Sequence, residues 1–276
     1  MRLKKIRKIF RILFPKQMSV IQLFEFKLRS NNLIDSFFYE EDKYFLNLKN
    51  NIKLYLRGEK HSDYEVFDQI YNKEEYGIIS SLLMNNVIDF GEQKTMIDAG
   101  ANIGLTSCYL IDKELFSNVY CIEPSIENFE ILNYNLYSRE QLSVIKKYNK
   151  ALAGKENLRF NLNNNFRSGK DWAISVEENN NGVVEGITIN EIIKENNIET
   201  ITLLKIDIEG AERFIFDINS DVSFLRKVKI IAIEIHDEFN IRDSINSIFK
   251  EYNFLIFESG ELTVGINKNF VSFNQT

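Results

Sequence analysis

Cysteine and histidine are nearly missing from this chain, with two of each in 276 residues. Cys108 and Cys121 fall in apolar stretches that read as core elements, so no disulfide framework is expected and a reducing compartment suits the chain. With only His61 and His236 beside them, no Cys/His metal cluster can form, and no metal site is expected. Long apolar runs are missing too. The longest stretches free of Asp, Glu, Lys and Arg, 76–88 and 99–111, run to 13 residues, too short for a spanning helix. Positive charge is in deficit: 34 Lys and Arg face 40 Asp and Glu, a net of −6, which argues against general nucleic-acid binding.

That deficit is uneven. Residues 1–16 hold seven basic residues (Arg2, Lys4, Lys5, Arg7, Lys8, Arg11, Lys16) and no acid. Removing those seven leaves 27 basic against 40 acidic residues, a net of −13. On a helix, Lys4, Arg7, Lys8 and Arg11 share one face and Leu3, Ile6, Phe10 and Leu13 the other. Two readings stay open: a basic amphipathic helix making peripheral contact with an anionic membrane surface, or a helix docking on the domain or on another subunit. A signal peptide is not expected, because charge continues through position 11 and no small-residue cleavage site follows.

Three regions are expected: the basic helix 1–16, an N-terminal extension 17–93 and a cofactor domain 94–276. In the extension, 20–28 reads as a helix, while 44–48 and 52–56 alternate around Lys49-Asn-Asn51 and read as a hairpin. Ser62 with Glu65 predicts a capping box for a helix carrying Val66, Phe67 and Ile70. A second helix is expected over 74–87. From 94 onward strands (94–99, 118–123, 143–148, 202–207, 228–236) alternate with helices (127–137, 190–196, 242–252). Another helix is expected to carry Phe214, Ile215 and Ile218. This pattern is α/β: a mostly parallel sheet with helices on both faces. The runs 254–257 and 262–266 flank Ser259-Gly260 and predict a closing antiparallel hairpin. Residues 154–185 interrupt the alternation with a strand at 158–162 and two Asn-rich loops. Between the loops sits Trp172, the only tryptophan, with Arg167, Ser168, Gly169 and Lys170. This segment is either an acceptor-pocket loop or a surface excursion.

The stretch Thr95-Met-Ile-Asp-Ala-Gly-Ala-Asn-Ile-Gly-Leu-Thr-Ser-Cys108 reads as strand, glycine turn and helix. Counting from Gly100, a dinucleotide fingerprint would need glycines where Asn102 and Leu105 stand. A P-loop would need Gly-Lys-Ser/Thr where the chain has Gly104-Leu-Thr106. Both are excluded. Glu123, 19 residues past Gly104, stands where nucleotide-binding folds hold a ribose by its hydroxyls. Asp98, ahead of the turn, should repel phosphate and favour a cofactor with a positively charged reactive end.

Asp98-Ala-Gly-Ala-Asn-Ile-Gly104, Ile122-Glu-Pro-Ser125, Leu204-Lys-Ile-Asp-Ile-Glu-Gly-Ala-Glu212 and Ala232-Ile-Glu-Ile-His236 together resemble the FkbM family of S-adenosylmethionine-dependent methyltransferases. Arg57, Ser62, Asp63, Val66, Phe67, Gln69, Ile70, Glu75 and Tyr76 resemble the piece that precedes the cofactor domain there. The resemblance implies a Rossmann-like class I methyltransferase sheet, S-adenosyl-L-methionine as cofactor, and O-methylation of a hydroxyl, on a sugar of a bacterial surface glycan or a related metabolite. It implies that Ala151, in Asn149-Lys-Ala-Leu-Ala153, lies beside the adenine, and that Tyr76, Ser62 and Asp63 lie near the cofactor. Asn190, in Thr188-Ile-Asn190, departs from the family's aspartate.

Asp98, Glu123, Asp207 and His236 all fall at carboxyl ends of predicted strands, the rim where α/β sheets bind ligands. From this rim and turn the expected cofactor contacts are Asp98, Gly100, Asn102, Gly104, Glu123 and Asp207, to which the resemblance adds Pro124, Ser125 and Ala151. His236 is the candidate general base, with Asp207 the second candidate. Lys205, within an apolar strand, needs a partner, and Asp207 lies on its face. Glu209 and Glu212 either approach the acceptor or complement the next helix. Competing readings are a non-catalytic adenosylmethionine-binding module and, against the glycine spacing, a nicotinamide oxidoreductase. The setting that fits is cytoplasmic, at the inner face of the cell membrane.

Overall fold

The computed structural model describes residues 18–271 apart from 86–87, 89, 92, 114, 164–174 and 180. The basic segment 1–16 and the segment holding Arg167, Ser168, Gly169, Lys170 and Trp172 lie outside the described residues. The chain divides into two compact units between His61 and Ser62.

The first unit begins with α1 (Val20–Ser30), opened by a capping box in which Ser19 and Gln22 satisfy each other's backbone N–H groups. Three antiparallel strands follow: β1 (Ile34–Glu40), β2 (Lys43–Leu48) and β3 (Lys53–Arg57), in the order β1-β2-β3. The expected β2–β3 hairpin is present, with Leu46 opposite Leu54 and Tyr44 opposite Leu56. β1 was not legible beforehand, because its sequence IDSFFYE buries only Ile34 and so lacks the alternation of a half-buried strand. Phe24 and Leu28 are the buried side of α1, and the Phe24 ring lies 5.0 Å from that of Tyr44.

The second unit opens with α2 (Asp63–Phe67), a π-helical turn (Asp68–Asn72) and α3 (Gly77–Met84). The expected capping box at Ser62 is absent. Ser62 stands at the N-cap, but its φ of −88° and ψ of 10° are not extended and its side chain makes no cap hydrogen bond.

A seven-stranded sheet forms the centre: β4 (Thr95–Ala99), β5 (Asn118–Ile122), β6 (Val144–Tyr148), β11 (Ile201–Ile206), β12 (Val228–Glu234), β13 (Phe254–Ser259) and β14 (Leu262–Asn267). Its order is β13-β14-β12-β11-β4-β5-β6. β12, β11, β4, β5 and β6 are parallel, and β14 runs antiparallel to both β12 and β13. Every residue of β4 and β11 is buried, as expected of parallel strands covered on both faces. The covering helices are α4 (Leu105–Ile111), α5 (Ile126–Tyr137), α6 (Ile189–Glu195), α7 (Glu212–Ile215) and α8 (Arg242–Glu251). α7 is a single turn; the helix expected through Ile218 stops short, leaving that side chain 95% exposed.

Beside the main sheet, β7 (Ala151–Leu152), β8 (Arg159–Asn163), β9 (Ser175–Glu178) and β10 (Val184–Ile187) pair as β7-β10-β8-β9. β4 has β5 on one side and β11 on the other. The chain therefore leaves its first central strand in one direction and later returns in the other, which makes the β4–β11 seam a switch point.

Candidate functional site

The site grows out of the turn after β4. Gly100, Asn102 and Gly104 all have positive φ, at 75°, 51° and 82°. Gly100 is obligatory for a second reason: a Cβ there would sit 1.7 Å from the Asp207 carbonyl oxygen. The turn is pinned from both sides. Gly100 and Ala101 donate their N–H groups to the Ile122 carbonyl, at 3.0 and 2.9 Å, and Asp207 donates its N–H to the Ala99 carbonyl at 3.1 Å. Gly104 is the N-cap of α4.

Glu123, just past β5, closes on the same turn. Asn102 N–H donates to one carboxylate oxygen at 2.8 Å and Ser125 N–H to the other at 2.9 Å. Burial pushes the Glu123 carboxyl up to about 7, opposed by those two N–H groups and by Asn128. Asn149 holds the backbone behind it, donating to the Glu123 and Pro124 carbonyls at 2.9 and 3.1 Å. Ser125 serves as N-cap of α5, accepting from Asn128 N–H.

Lys205 is buried in β11. Its ammonium lies 3.1 Å from Asp98 and 3.5 Å from Asp207, and it donates to the Gly100 carbonyl at 2.6 Å. Burial works against its charge, but Asp98 and then Asp207 more than offset this and hold its pKa above the ordinary value. Asp98 is wholly buried and also accepts from the Ser107 hydroxyl at 2.7 Å. The sequence paired Lys205 with Asp207 alone and aimed Asp98 at the cofactor. The structure instead gives Lys205 both acids, with Asp98 the nearer, and leaves Asp98 outside the cavity wall. Its charge is paired internally with Lys205.

His236 also differs from expectation. Its ring is buried, with Nδ1 3.0 Å from Glu212 and Nε2 3.4 Å from Glu209 and 3.6 Å from Glu234. Burial lowers its proton affinity, but hydrogen bonds to Glu209 and Glu212 and the charges of Glu212 and Glu234 carry it up to about 10. Nδ1 faces both the Glu212 carboxylate and the Gly210 N–H, which donates to it at 3.2 Å and also lies 3.4 Å from the same Glu212 oxygen. His236 does not line the cavity, so a substrate hydroxyl bound there has no direct path to its ring. General-base duty therefore does not fit His236. It joins the turn after β11 to the end of β12.

The cavity encloses about 280 Å³ at the carboxyl ends of the central strands. Among the residues named from the sequence, Gly100, Asn102, Glu123, Pro124, Ala151 and Asp207 line it; Asp98, Gly104, Ser125 and His236 do not. Tyr76 lines it, whereas Ser62 and Asp63 do not, and the π-helical turn contributes Gln69 and Ile70. Among the described residues the charged lining consists of Glu75, Glu123, Asp207, Glu209, Glu234 and Glu261 against Lys205, and Lys205 is already committed to two acids. Burial, reinforced by Asp207, pushes Glu75 up to about 7 and Glu234 to about 8. Glu234 was within reach of sequence reasoning, since it shares strand parity with His236. Glu261 was not, because it sits in the tip of the β13–β14 hairpin. Asn190 faces elsewhere, donating to Asp221 at 2.9 Å. Among the described residues no group of three or more His, Cys, Asp or Glu side chains is arranged to hold a metal ion.

A parallel sheet reversed at β4, closed by an antiparallel hairpin and carrying its cavity over the strand ends, defines a class I methyltransferase-type α/β protein. Residues 98–256 match the model of the methyltransferase FkbM domain, and the chain belongs to that family of methyltransferases. It is 27% identical over 192 residues to methyltransferase sdnD of Sordaria araneosa, covering 58% of this chain and 73% of that protein. Among solved structures it is similar to the methyltransferase FkbM of Methylobacillus flagellatus KT, with 19% identity and a TM-score of 0.39. That match covers 68% of this chain and 47% of the other, so the chain spans about half the length of that protein. The SAM-dependent methyltransferase of Agrobacterium tumefaciens matches with 9% identity and a TM-score of 0.43, over 84% of this chain and 72% of that one.

Proposed function

We propose that this methyltransferase uses S-adenosyl-L-methionine to methylate a hydroxyl, on a sugar of a bacterial surface glycan or a related metabolite, from the cytoplasmic side of the membrane. The observation that carries this reading is the charge of the cavity: six carboxyl groups, one committed lysine, and a Glu123 carboxylate oriented by two backbone N–H groups. Such a wall suits a ligand with ribose hydroxyls at one end and positive charge at the other.

When bound, the cofactor supplies a methyl group activated on a sulfonium, so no separate electrophile is required of the protein. Glu123 would accept from the ribose hydroxyls, and Ala151 and Leu152 would flank the base. Asp207, at the cavity wall beside Lys205, would face the positive end. The acceptor hydroxyl must lie about 3 Å from the methyl carbon, in line with the breaking bond. Asp207 and Glu234 are the carboxylates suited to take its proton, Glu234 because its pKa near 8 matches a base working at neutral pH. His236 would act at one remove, keeping Glu209 and Glu234 in place. Among the described residues the wall offers an acceptor several carboxyl groups and no cation beyond the committed Lys205, which favours a neutral or cationic acceptor over an acidic sugar.

Incubation with methyl-labelled cofactor and separate panels of neutral, amino and acidic sugars or their nucleotide conjugates tests the reading. Label should appear as an ether on a neutral or amino sugar. Transfer confined to acidic acceptors, or to nitrogen or carbon, would overturn the acceptor assignment.

A further inference from the structure

The acid-lined cavity leaves one requirement unmet. The amino-acid end of S-adenosyl-L-methionine carries a carboxylate as well as positive charge, and a carboxylate set against Glu75, Asp207, Glu209, Glu234 and Glu261 is repelled. Lys205 is held by Asp98, Asp207 and the Gly100 carbonyl, so the anion needs a donor that nothing else has claimed. Among the described residues two lining side chains carry hydroxyls, Tyr76 and Thr106. Tyr76 is only 2% exposed, yet its hydroxyl has no hydrogen-bond partner among the described residues. A buried phenol normally finds a partner, so an idle one in a cavity wall marks a place for a ligand atom. Burial, against the pull of Lys205 and reinforced by Asp207, Glu75 and Asp98, holds the Tyr76 phenol well above its ordinary range, so the hydroxyl keeps its proton and donates. Those same charges place it at the Asp207 end of the cavity. Asn102, by contrast, is tied to the ribose end, its N–H 2.8 Å from Glu123. The turn that delivers Tyr76 is fixed: Glu75 N–H donates to the Gln69 carbonyl at 3.2 Å and Gly77 N–H to the Glu74 carbonyl at 2.7 Å. Glu74 takes a φ of 51°, a left-handed conformation that a glutamate keeps only where its surroundings enforce it.

We propose that the Tyr76 hydroxyl donates a hydrogen bond to the amino-acid carboxylate of the bound cofactor, a role that rests on the cofactor reading above. Asp207 faces the positive charge of that end and Tyr76 its negative charge, so the wall reads both signs of a zwitterion. A neutral donor does this without cancelling the acids beside it.

The test is titration calorimetry of the wild type and Tyr76→Phe with S-adenosyl-L-methionine and with its decarboxylated analogue, which keeps the sulfonium, the amine and the nucleoside. Phenylalanine retains the buried ring, and binding of the analogue checks that the variant is folded. Tyr76→Phe should lose at least about tenfold in affinity for S-adenosyl-L-methionine and less than about twofold for the analogue. An equal loss on both ligands, or no loss on either, would overturn the proposal and leave the cofactor reading standing. So would a carboxylate-dependent loss found in Thr106→Val and not in Tyr76→Phe. Binding of neither ligand by the wild type would overturn the cofactor reading and the proposal with it.

Discussion

At the scale of single residues, charge partners decide roles that residue type alone suggests wrongly. His236 has the side chain most often used as a base, yet it is buried among three carboxylates and outside the cavity wall. His236→Ala would leave Glu209, Glu212 and Glu234 without their shared counter-charge. The expected cost is about 3–5 kcal/mol of stability, the range for breaking a buried pair, measured by urea unfolding. The rate should fall as pH drops below about 8, following Glu234, in wild type and variant alike. A wild-type rate that holds below about 8 and titrates away only near about 6.5, with that step absent from a folded His236→Ala, would return His236 to the chemistry. Asp98 teaches the same lesson: the spacing D-x-G-x-N-x-G gives its position, and only the approach of Lys205 from a strand about a hundred residues later shows that its charge is consumed.

Among the elements, the parallel strands were legible because buried strands read as unbroken apolar runs, and the closing hairpin because Ser259-Gly260 punctuates two of them. What could not be read were pairings between distant short segments. β7 is two residues long and exists only because Gly186 and Ile187 of β10 lie beside it. β1 exposes most of its length and carries no period. The turn after β4 gives the sharpest test at this scale. Gly100→Ala forces a Cβ into the Asp207 carbonyl and should cost at least about 3 kcal/mol. Gly260→Ala, where φ is also positive but nothing lies within 4 Å, should cost only about 1 kcal/mol. Equal losses in urea unfolding would mean that backbone strain, and not the β4–β11 seam, governs the turn.

For the whole molecule, pH acts with one sign through two kinds of group. His236 rises from an ordinary 6.5 to about 10, and Glu75, Glu123 and Glu234 rise from 4.5 to about 7, 7 and 8. In each case the folded state holds protons more tightly than the unfolded chain. The associated stability is complete below the unfolded pKa and is lost as pH climbs through the folded one. Unfolding free energy should therefore decline from about pH 5 toward pH 10, most steeply between about 5 and 7, where the folded chain still holds three carboxyl protons that the unfolded chain has lost. A cationic ligand reverses part of this loss, since it favours the ionised carboxylates: its affinity should rise between pH 6 and 8 and its binding should release protons.

The most direct measurement is titration calorimetry of S-adenosyl-L-methionine into the wild-type protein and Glu123→Gln, in two buffers of different ionisation enthalpy. The wild type should bind with net proton release, and Glu123→Gln should bind at least about tenfold more weakly, as expected for losing hydrogen bonds to a charged acceptor. No binding by the wild type, or equal affinity in a folded Glu123→Gln, would contradict the assignment of this acid-lined cavity to the cofactor.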